Sequence, residues 1–486
     1  MARKLKILLA SSEVHPYAKT GGLADISGSL PKALKAMGHD VRVIMPKYKT
    51  VVECPLGFHP IALDFEVPIA GIREKAFLFE GKLDEDLPVY FVGNDAYYHR
   101  DHLYGSNGGD YPDNARRFIF FSRSILEFCK AIGFQPDIIH CNDWQTGLVP
   151  AYLKTVYADD KWFKNTRTVF SIHNLGYQGN FPVSELNTAG LPFSIYHPEG
   201  VEFYSHFSFL KAGLVFADIL ATVSPNYSRE IQTKDFGFGM EGVLQKRSKD
   251  LFGILNGVDY QEWSPAKDPW IKAHFDPKHL KGKLACKKNL ADLFSLKINE
   301  KTPVLSMVTR LSGQKGIDLV IGAMDHILKE GAAFVLLGSG EAAYEAYFQK
   351  MRQRFPKKLT AYIGFDEPLA HKILAGSDLL LMPSQYEPCG LTQMYALKYG
   401  TVPLVHAVGG LHDTVREFNL KTLKGTGFKF KGYEVNPLLK SLQKAFSLYT
   451  KKTPWRHLVL NGMQSDNSWD VSARKYHNLY LRILKR

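Results

Sequence analysis

Short apolar runs alternate with amphipathic segments along most of this chain, and the alternation comes in two series. The first series of apolar runs lies at 6–10, 41–46, 89–93, 137–141, 168–173, 219–224 and 253–258. The second series lies at 304–310, 333–340, 359–365, 378–384 and 402–410. Segments with a helical spacing of apolar residues lie between these runs, for example at 26–38, 115–131, 317–330 and 367–376. Such alternation predicts an α/β protein with two doubly wound parallel sheets, each in a Rossmann-like domain.

The chain is predicted to divide into two domains and a C-terminal helix. The N-terminal domain is assigned to 1–252 and the second domain to 253–460. The polar, proline-containing segment 256–270 is the expected hinge. Residues 461–486 contain apolar side chains that recur at helical spacing, and we expect this helix to pack back onto the N-terminal domain.

The composition indicates a globular protein with more than one hydrophobic core. The chain has 486 residues, of which 45% are hydrophobic and 22% are charged, and it is too long for one ordinary domain. No apolar stretch is long enough to cross a bilayer, and the first apolar run is too short for the core of a signal peptide. The five cysteines are odd in number and lack metal-ligand spacing. They predict reduced thiols and a cytoplasmic protein with no membrane partner.

A net charge of +13 brings nucleic acid into consideration as a partner. However, the lysines are spread along the chain, and no arginine-rich arm or aromatic RNA-binding motif is present. A basic surface for a neutral polymer or a phosphorylated substrate fits this charge equally well. Because the concentrated basic arm is missing, we expect no nucleic-acid partner.

Candidate chemistry in the second domain follows the predicted strands, where ligands of parallel sheets bind. Arg310 and Lys315 share the turn RLSGQKG. Two cations so placed can meet a diphosphate from two sides, the guanidinium as a bidentate fork and the ammonium as a point charge. Glu387 precedes the turn at Gly390 that opens a helix, which brings backbone N–H groups beside a carboxylate. The alternatives are two solvated surface cations and a simple helix cap.

A short motif, G-G-L-x-D, occurs once in each predicted domain, between a strand and a helix. The first copy is KTGGLAD, with Lys19 and Gly22, and the second is VGGLHD, with Gly409 and Gly410. Glycines let backbone N–H groups approach an anion, so each copy is a candidate phosphate contact. An ordinary strand-to-helix turn explains either copy alone, and neither matches G-x-G-x-x-G or a P-loop.

Polar residues also follow two strands of the N-terminal domain. Asp143 comes soon after the apolar run at 137–141, and His173 closes the run at 168–173. A lone histidine after a strand is usually structural, but recurrence of polar residues at strand ends favours a site. No Ser–His–Asp order or zinc spacing is present. A pair of glycosidase carboxylates, Asp143 with Glu387, is an alternative for which the sequence supplies no distance.

With these segments assembled, the chain resembles the bacterial glycogen synthases and the plant starch synthases. The resemblance runs over nearly the whole length, through KTGGLAD, YGSNGGDYPDNARRF, NDWQTGLVPAYL, IHNLGYQG, TVSPNYSREI, GFGMEGVL, GILNGVD, RLSGQKG and EPCGLTQMYALKYGTVPLV. It implies the GT-B fold, in which two Rossmann-like domains face a cleft. It also implies transfer of glucose from ADP-glucose to the non-reducing end of an α-1,4-glucan such as glycogen. The anomeric configuration is retained, and no metal or other cofactor is expected.

The resemblance implies roles for the candidate residues. Arg310 and Lys315 would neutralise the leaving diphosphate, and Glu387 would hold hydroxyl groups of the donor glucose. His173 would lie near the donor sugar, and Asp143 would orient the sugar or the acceptor. The further substrate contacts implied are Lys19, Gly22, Asn256, Cys389, Gly390, Leu391, Gly409 and Gly410.

Three positions depart from the family pattern. His406 and Val408 stand where an arginine and a threonine are usual, and Gln145 stands where a histidine is common. The first two changes remove a cation and a hydroxyl near the expected phosphate site. Two alternatives to the ADP-glucose enzyme therefore stay open: an enzyme that uses UDP-glucose, and a non-catalytic glucan-binding protein of the same fold.

Overall fold

The computed structural model describes residues 3–106 and 109–485. Asn107 and Gly108, which belong to the segment YGSNGGDYPDNARRF, lie outside the described residues. Contacts between Cα atoms divide the chain into two units. Unit 1 runs to Gly257 and resumes at Trp469, and unit 2 is Val258–Ser468.

Unit 1 is built on a large mixed β-sheet. The strands of this unit, within the described residues, are β1 (Lys6–Ala10), β2 (Asp40–Pro46), β3 (His59–Ile69), β4 (Ile72–Asp84), β5 (Leu87–Gly93), β6 (Gly105–Ser106), β7 (Gly109–Asp110), β8 (Ile138–Asn142), β9 (Arg167–Ile172), β10 (Asn180–Phe181), β11 (Glu202–Phe203), β12 (His206–Ser208), β13 (Ile219–Thr222) and β14 (Leu251–Gly253). The large sheet has the order β14-β13-β9-β8-β1-β2-β5-β4-β3. Its strand order reverses between β1 and β8, where ligands of doubly wound sheets bind.

One edge of this sheet is antiparallel, which the strand–helix alternation did not predict. β3 pairs with β4, and β4 pairs with β5, in antiparallel register. The first part of β3 alternates between exposed and half-buried side chains, as expected for a strand with one face in water. The apolar run at 253–258 also differs from its prediction, because the strand ends at Gly253 and Asn256 lies in an irregular segment.

Helices cover the sheet of unit 1. They are α1 (Gly22–Ala36), α2 (Lys49–Val52), α3 (Asp95–Tyr98), α4 (Asn114–Ala131), α5 (Leu148–Lys154), α6 (Glu185–Ala189), α7 (Phe209–Phe216), α8 (Pro225–Glu230) and α9 (Glu241–Lys246), with 3-10 turns at Trp144–Thr146, Lys161–Phe163, Phe193–Ile195 and Ser248–Asp250. α4 is buried along most of its length and carries a fully buried Arg117. Its guanidinium donates to Asn114 Oδ1 and to the carbonyl oxygens of Tyr97 and Leu103, so the buried charge is hydrogen-bonded.

Unit 2 is built on a parallel sheet. Its described strands are β15 (Val304–Val308), β16 (Ala333–Gly338), β17 (Leu359–Ile363), β18 (Leu379–Met382), β19 (Val402–His406) and β20 (Phe428–Phe430), in the order β17-β16-β15-β18-β19-β20. The helices are α10 (Lys281–Leu293), α11 (Ile317–Lys329), α12 (Ala342–Arg354), α13 (Glu367–Gly376), α14 (Thr392–Lys398), α15 (Gly409–Thr414), α16 (Val435–Tyr449) and α17 (Lys452–Met463), with a 3-10 turn at Gly313–Lys315. The order reverses between β15 and β18. This is the second position at which a ligand site is expected.

The last described helix, α18 (Trp469–Ile483), packs on unit 1. Its buried stripe includes Trp469, Tyr476 and Tyr480. His140 Nδ1 lies 2.8 Å from Tyr480 Oη, and Ser472 Oγ donates to the carbonyl of Leu255 at 2.6 Å. None of the described helices is both long and apolar enough to cross a membrane.

Candidate functional site

Two loops of unit 2 meet where the strand order reverses. The 3-10 turn that ends at Lys315 follows β15, and the loop of Glu387 follows the adjacent strand β18. Lys315 Nζ lies 2.7 Å from Glu387 Oε2, and the two side chains are only 15% and 9% exposed. Ser384 Oγ donates to the same carboxylate oxygen at 2.9 Å. The pair is largely removed from water, and the extra hydroxyl offsets part of the desolvation cost.

Backbone packing explains how Lys315 reaches Glu387. Gly316, directly after the lysine, has φ 70°, and a Cβ there would lie 2.2 Å from the carbonyl oxygen of Pro383. Only glycine combines this left-handed conformation with such a close approach. The turn after β15 is therefore pressed against the loop after β18.

The second copy of G-G-L-x-D joins the same loop. Gly409 has φ 44°, and a Cβ there would lie 1.9 Å from the carbonyl oxygen of Glu387. Gly410 N–H donates to that oxygen at 3.0 Å, and a Cβ at Gly410 would lie 2.1 Å from the carbonyl oxygen of Cys389. The two glycines thus let the start of α15 pack on the loop that carries Glu387.

Arg310 and the residues before α14 complete the predicted set in unit 2. Arg310 begins the turn of Lys315 with an exposed side chain, which forms no ion pair with another described residue. Gly390 and Leu391 lead into α14, and their N–H groups donate to no other residue that the structure describes. The structure brings Lys315, Glu387 and the glycine pair together, whereas Arg310 shares the turn of Lys315 without pairing with that cluster.

The two residues of unit 2 that the sequence analysis set apart, His406 and Val408, are both buried. His406 Nδ1–H donates to the carbonyl of Ser384 at 2.8 Å, and its ring stacks on Phe430 with centroids 5.1 Å apart. Burial lowers the pKa of His406 although the bond to Ser384 opposes this, so the ring is neutral at pH 7. Val408 packs in an apolar cluster with Val405, Leu411, Val415 and Met382. Neither residue supplies a cation or a hydroxyl group at this place at pH 7.

Unit 1 places Asp143 and His173 side by side. Asp143 follows β8 with a positive φ of 54°, a strained conformation for a residue other than glycine. Its Oδ1 accepts the backbone N–H of His173 at 2.7 Å. Burial raises the pKa of Asp143 to about 7, although N–H groups of His173 and Asn174 oppose the shift.

The His173 ring has one satisfied nitrogen and one unsatisfied nitrogen. Its Nε2 lies 2.9 Å from Asn142 Oδ1, an acceptor that fixes the proton on Nε2. The buried Nδ1 has no hydrogen-bond partner among the described residues. Burial lowers the pKa of His173 to about 3, so the ring is neutral and Nδ1 offers a lone pair. A buried polar atom without a partner is a candidate ligand contact.

Glu13, which was not among the predicted site residues, organises the first copy of G-G-L-x-D. Its carboxylate accepts the N–H and the hydroxyl of Thr20, both at 2.6 Å, and the hydroxyl of Tyr104 at 2.8 Å. Lys19 Nζ lies 2.7 Å from Asp25 Oδ1, and Gly22 is the exposed first residue of α1. The only sequence signal for Glu13 was its position just after the first strand, because its partner Tyr104 is far away in sequence.

Two further buried amides have an unsatisfied oxygen. Asn256 and Gln145 are 4% and 5% exposed. Neither Asn256 Oδ1 nor Gln145 Oε1 has a hydrogen-bond partner in the described part of the chain. Asn256 follows β14 and Gln145 follows β8. Both lie at the same carboxyl edge of the unit 1 sheet as Asp143 and His173.

Comparison with known protein families matches both units. Residues 6–246 match the family described as starch synthase catalytic domain, and residues 289–456 match glycosyl transferases group 1. The glycogen synthase of Syntrophotalea carbinolica is 46% identical over 481 residues, and that of Thermotoga petrophila is 44% identical over 488 residues. Each alignment covers 99% of both chains.

Solved structures agree with these matches. The catalytic domain of starch synthase IV from Arabidopsis thaliana, bound to ADP and acarbose, superposes with a TM-score of 0.91 at 35% identity and full coverage of both chains. A sucrose-phosphate synthase from Thermosynechococcus elongatus has a TM-score of 0.62 at 17% identity, with 99% of this chain and 100% of that chain covered, which shows a shared fold. The predicted GT-B fold is thereby confirmed. The chain belongs to the glycosyltransferase family of the bacterial glycogen synthases and plant starch synthases.

Proposed function

We propose that the chain transfers glucose from ADP-glucose to the 4-hydroxyl at the non-reducing end of an α-1,4-glucan, with retention of configuration. The observation that carries this proposal is the buried Lys315–Glu387 pair at the strand-order reversal of unit 2, in a chain similar over its whole length to glycogen synthases. The ADP in the Arabidopsis starch synthase structure supports ADP-glucose as the donor.

Lys315 and Arg310 would stabilise the negative charge that develops on the leaving diphosphate. Lys315 has three N–H donors and gives one to Glu387, which leaves two for phosphate oxygens. Arg310 has an exposed guanidinium in the same turn, suited to bidentate phosphate binding. The unpaired N–H groups of Gly390 and Leu391, next to Cys389, and the turns of Gly409, Gly410, Lys19 and Gly22 would add contacts to the donor.

Glu387 would bind hydroxyl groups of the donor glucose. Its Oε2 accepts from Lys315 and Ser384, and its Oε1 accepts from no other described residue, so that oxygen can receive a sugar hydroxyl. In unit 1, the lone pair on His173 Nδ1 and the unsatisfied oxygen of Asn256 can accept further hydroxyls. Asp143 would act by holding the backbone of His173.

The direct test is glucose incorporation into glycogen from labelled ADP-glucose and, separately, from labelled UDP-glucose. We expect incorporation from ADP-glucose that persists in EDTA, because Arg310 and Lys315 supply the charge that a metal would otherwise supply. Incorporation from UDP-glucose alone would replace the donor assignment. Failure with both donors, with glycogen binding retained, would instead indicate a glucan-binding protein. A buried neutral His406 and an apolar Val408 make weak donor binding the expected kinetic signature.

A further inference from the structure

A second cluster of polar side chains in unit 2 contains one histidine and two glutamates. Glu367 and His371 lie one turn apart on α13, and Glu262 comes from the segment that precedes α10. Each residue offers one ligand atom, and these atoms all lie within 4.8 Å of one another. A glutamate and a histidine four residues apart face the same side of a helix, the spacing that helical metal sites use.

The His371 ring is fixed in place. The residue is 1% exposed, and its ring stacks on Trp263 with centroids 3.8 Å apart and an angle of 14°. Its Nδ1 lies 2.8 Å from Asp268 Oδ2, whose carboxylate also accepts the hydroxyl of Tyr399 and the N–H of Trp270. A metal-binding imidazole needs this kind of rigid support.

Asp268 determines which nitrogen of His371 carries the proton. The Asp268 carboxylate lies against Nδ1, so Nε2 is the ring nitrogen that faces away from this contact. Nε2 makes no hydrogen bond to any other residue in the described ranges. A carboxylate behind the other ring nitrogen is typical of metal-ligating histidines, because it fixes the tautomer and raises ligand basicity.

We propose that His371 Nε2 and the carboxylates of Glu367 and Glu262 bind one divalent transition-metal ion. One imidazole with two carboxylates suits Zn²⁺ or Mn²⁺, and water would complete the coordination. Ligand atoms on tetrahedral Zn²⁺ lie about 3.3 Å apart, given metal–ligand distances of ~2.0 Å. Glu262 is exposed and Glu367 is half-buried, so both side chains can close the remaining gap. The ion would tie the segment of Glu262 to α13, and it would take no part in glucosyl transfer.

The test is calorimetric titration of the chelator-treated full-length chain with ZnCl2 alone, and then with MnCl2 alone. We expect the tightest binding step to involve one metal ion per chain. Glu367→Gln and Glu262→Gln should each raise the dissociation constant of that step at least tenfold. Glu330→Gln, at an exposed position of the same unit, is the matched control and should bind like the parent chain. Far-UV circular dichroism verifies that all variants are folded.

Thermal unfolding gives a second readout that is independent of transferase activity. A ligand that binds the native state raises the melting temperature, so excess Zn²⁺ should stabilise the parent chain and Glu330→Gln but not Glu367→Gln. Equal affinity of the parent chain and Glu367→Gln within twofold would overturn the metal site. Lack of a binding step with both metals would also overturn it.

Discussion

Asp143 combines a positive φ with burial that raises its pKa to about 7. Between pH 4 and pH 7 the unfolded chain loses this proton while the folded chain keeps it. Stability therefore falls as pH rises through that interval, by up to ~1.4 kcal/mol per pH unit for one proton. Asp143→Asn removes the titration and retains an oxygen for the N–H of His173. Relative to the parent chain, the variant should gain stability from pH 4 to pH 8.

Urea unfolding of both proteins at several pH values measures this difference. Asp159→Asn, at an exposed position in the same unit, is the matched control. A constant difference between Asp143→Asn and the parent chain across the interval would show that the folded carboxyl is ionised throughout.

Lys315 is the side chain whose loss should affect turnover most directly. Lys315→Ala removes a donor to the leaving diphosphate, and we expect kcat to fall by 10²–10³, about 2.7–4 kcal/mol, as when one oxyanion donor is removed. Lys329→Ala, at an exposed position of the same unit, should leave kcat unchanged. Steady-state kinetics with the donor varied gives both values. Equal kcat for parent and Lys315→Ala would exclude the lysine from the reaction.

The start of α15 shows how an element is positioned by two glycines. Gly409→Ala would place a Cβ 1.9 Å from the carbonyl oxygen of Glu387 at a positive φ. We expect a loss of more than ~1 kcal/mol of stability and a loss of activity, because the loop of Glu387 must move. Gly331→Ala has a comparable positive φ of 80° but open space around its Cβ. Thermal melts and kinetics that showed equal effects of both variants would contradict a packing role for Gly409.

α18 contacts two histidines of unit 1, His140 and His39, whose charged forms are disfavoured in the folded chain. Burial lowers the pKa of His140 to about 3, and burial with the neighbouring His477 lowers the pKa of His39. The stability that these rings contribute is fully present above about pH 6.5, the ordinary histidine pKa. It is lost as pH falls from there towards the folded-state pKa values, because the unfolded chain then takes up protons that the folded chain does not.

Between pH 6 and pH 4, His140→Gln should remove the uptake of about one proton on unfolding. The slope of the unfolding free energy against pH should therefore fall by up to ~1.4 kcal/mol per pH unit. His102→Gln, at an exposed position of unit 1, is the control. Urea unfolding at fixed pH values gives the slopes. An unchanged slope in His140→Gln would mean that His140 is not the group that titrates on unfolding.

At the scale of the whole molecule, periodicity predicted the buried parallel strands well, because strands covered on both faces are continuous apolar runs. β3 and β4 were not predicted, because their apolar residues alternate with charged ones. β14 was placed too late, because the apolar residues Ile254, Leu255 and Val258 follow the strand without pairing in the sheet. The close packing of Gly257 against Trp469, where a Cβ would lie 2.4 Å from backbone, depends on a distant helix.

The candidate residues that sequence reasoning selected lie close after strands: Asp143 and His173 directly follow β8 and β9, and Lys315 ends the turn after β15. Glu13 and Ser384 were missed. Each has a local partner, Thr20 or Glu387, but also a distant partner that only the fold brings near: Tyr104 for Glu13, and His406 for Ser384. The site of Glu262, Glu367 and His371 also needed the structure, since only the helical pair is visible in the sequence.

The central claim is retaining glucosyl transfer from ADP-glucose, and proton NMR of the reaction with a maltooligosaccharide acceptor tests it most directly. We predict growth of the α-1,4 anomeric signal in step with release of ADP, one ADP for each glucose added. A β-anomeric product, or ADP release without chain growth, would contradict the assignment.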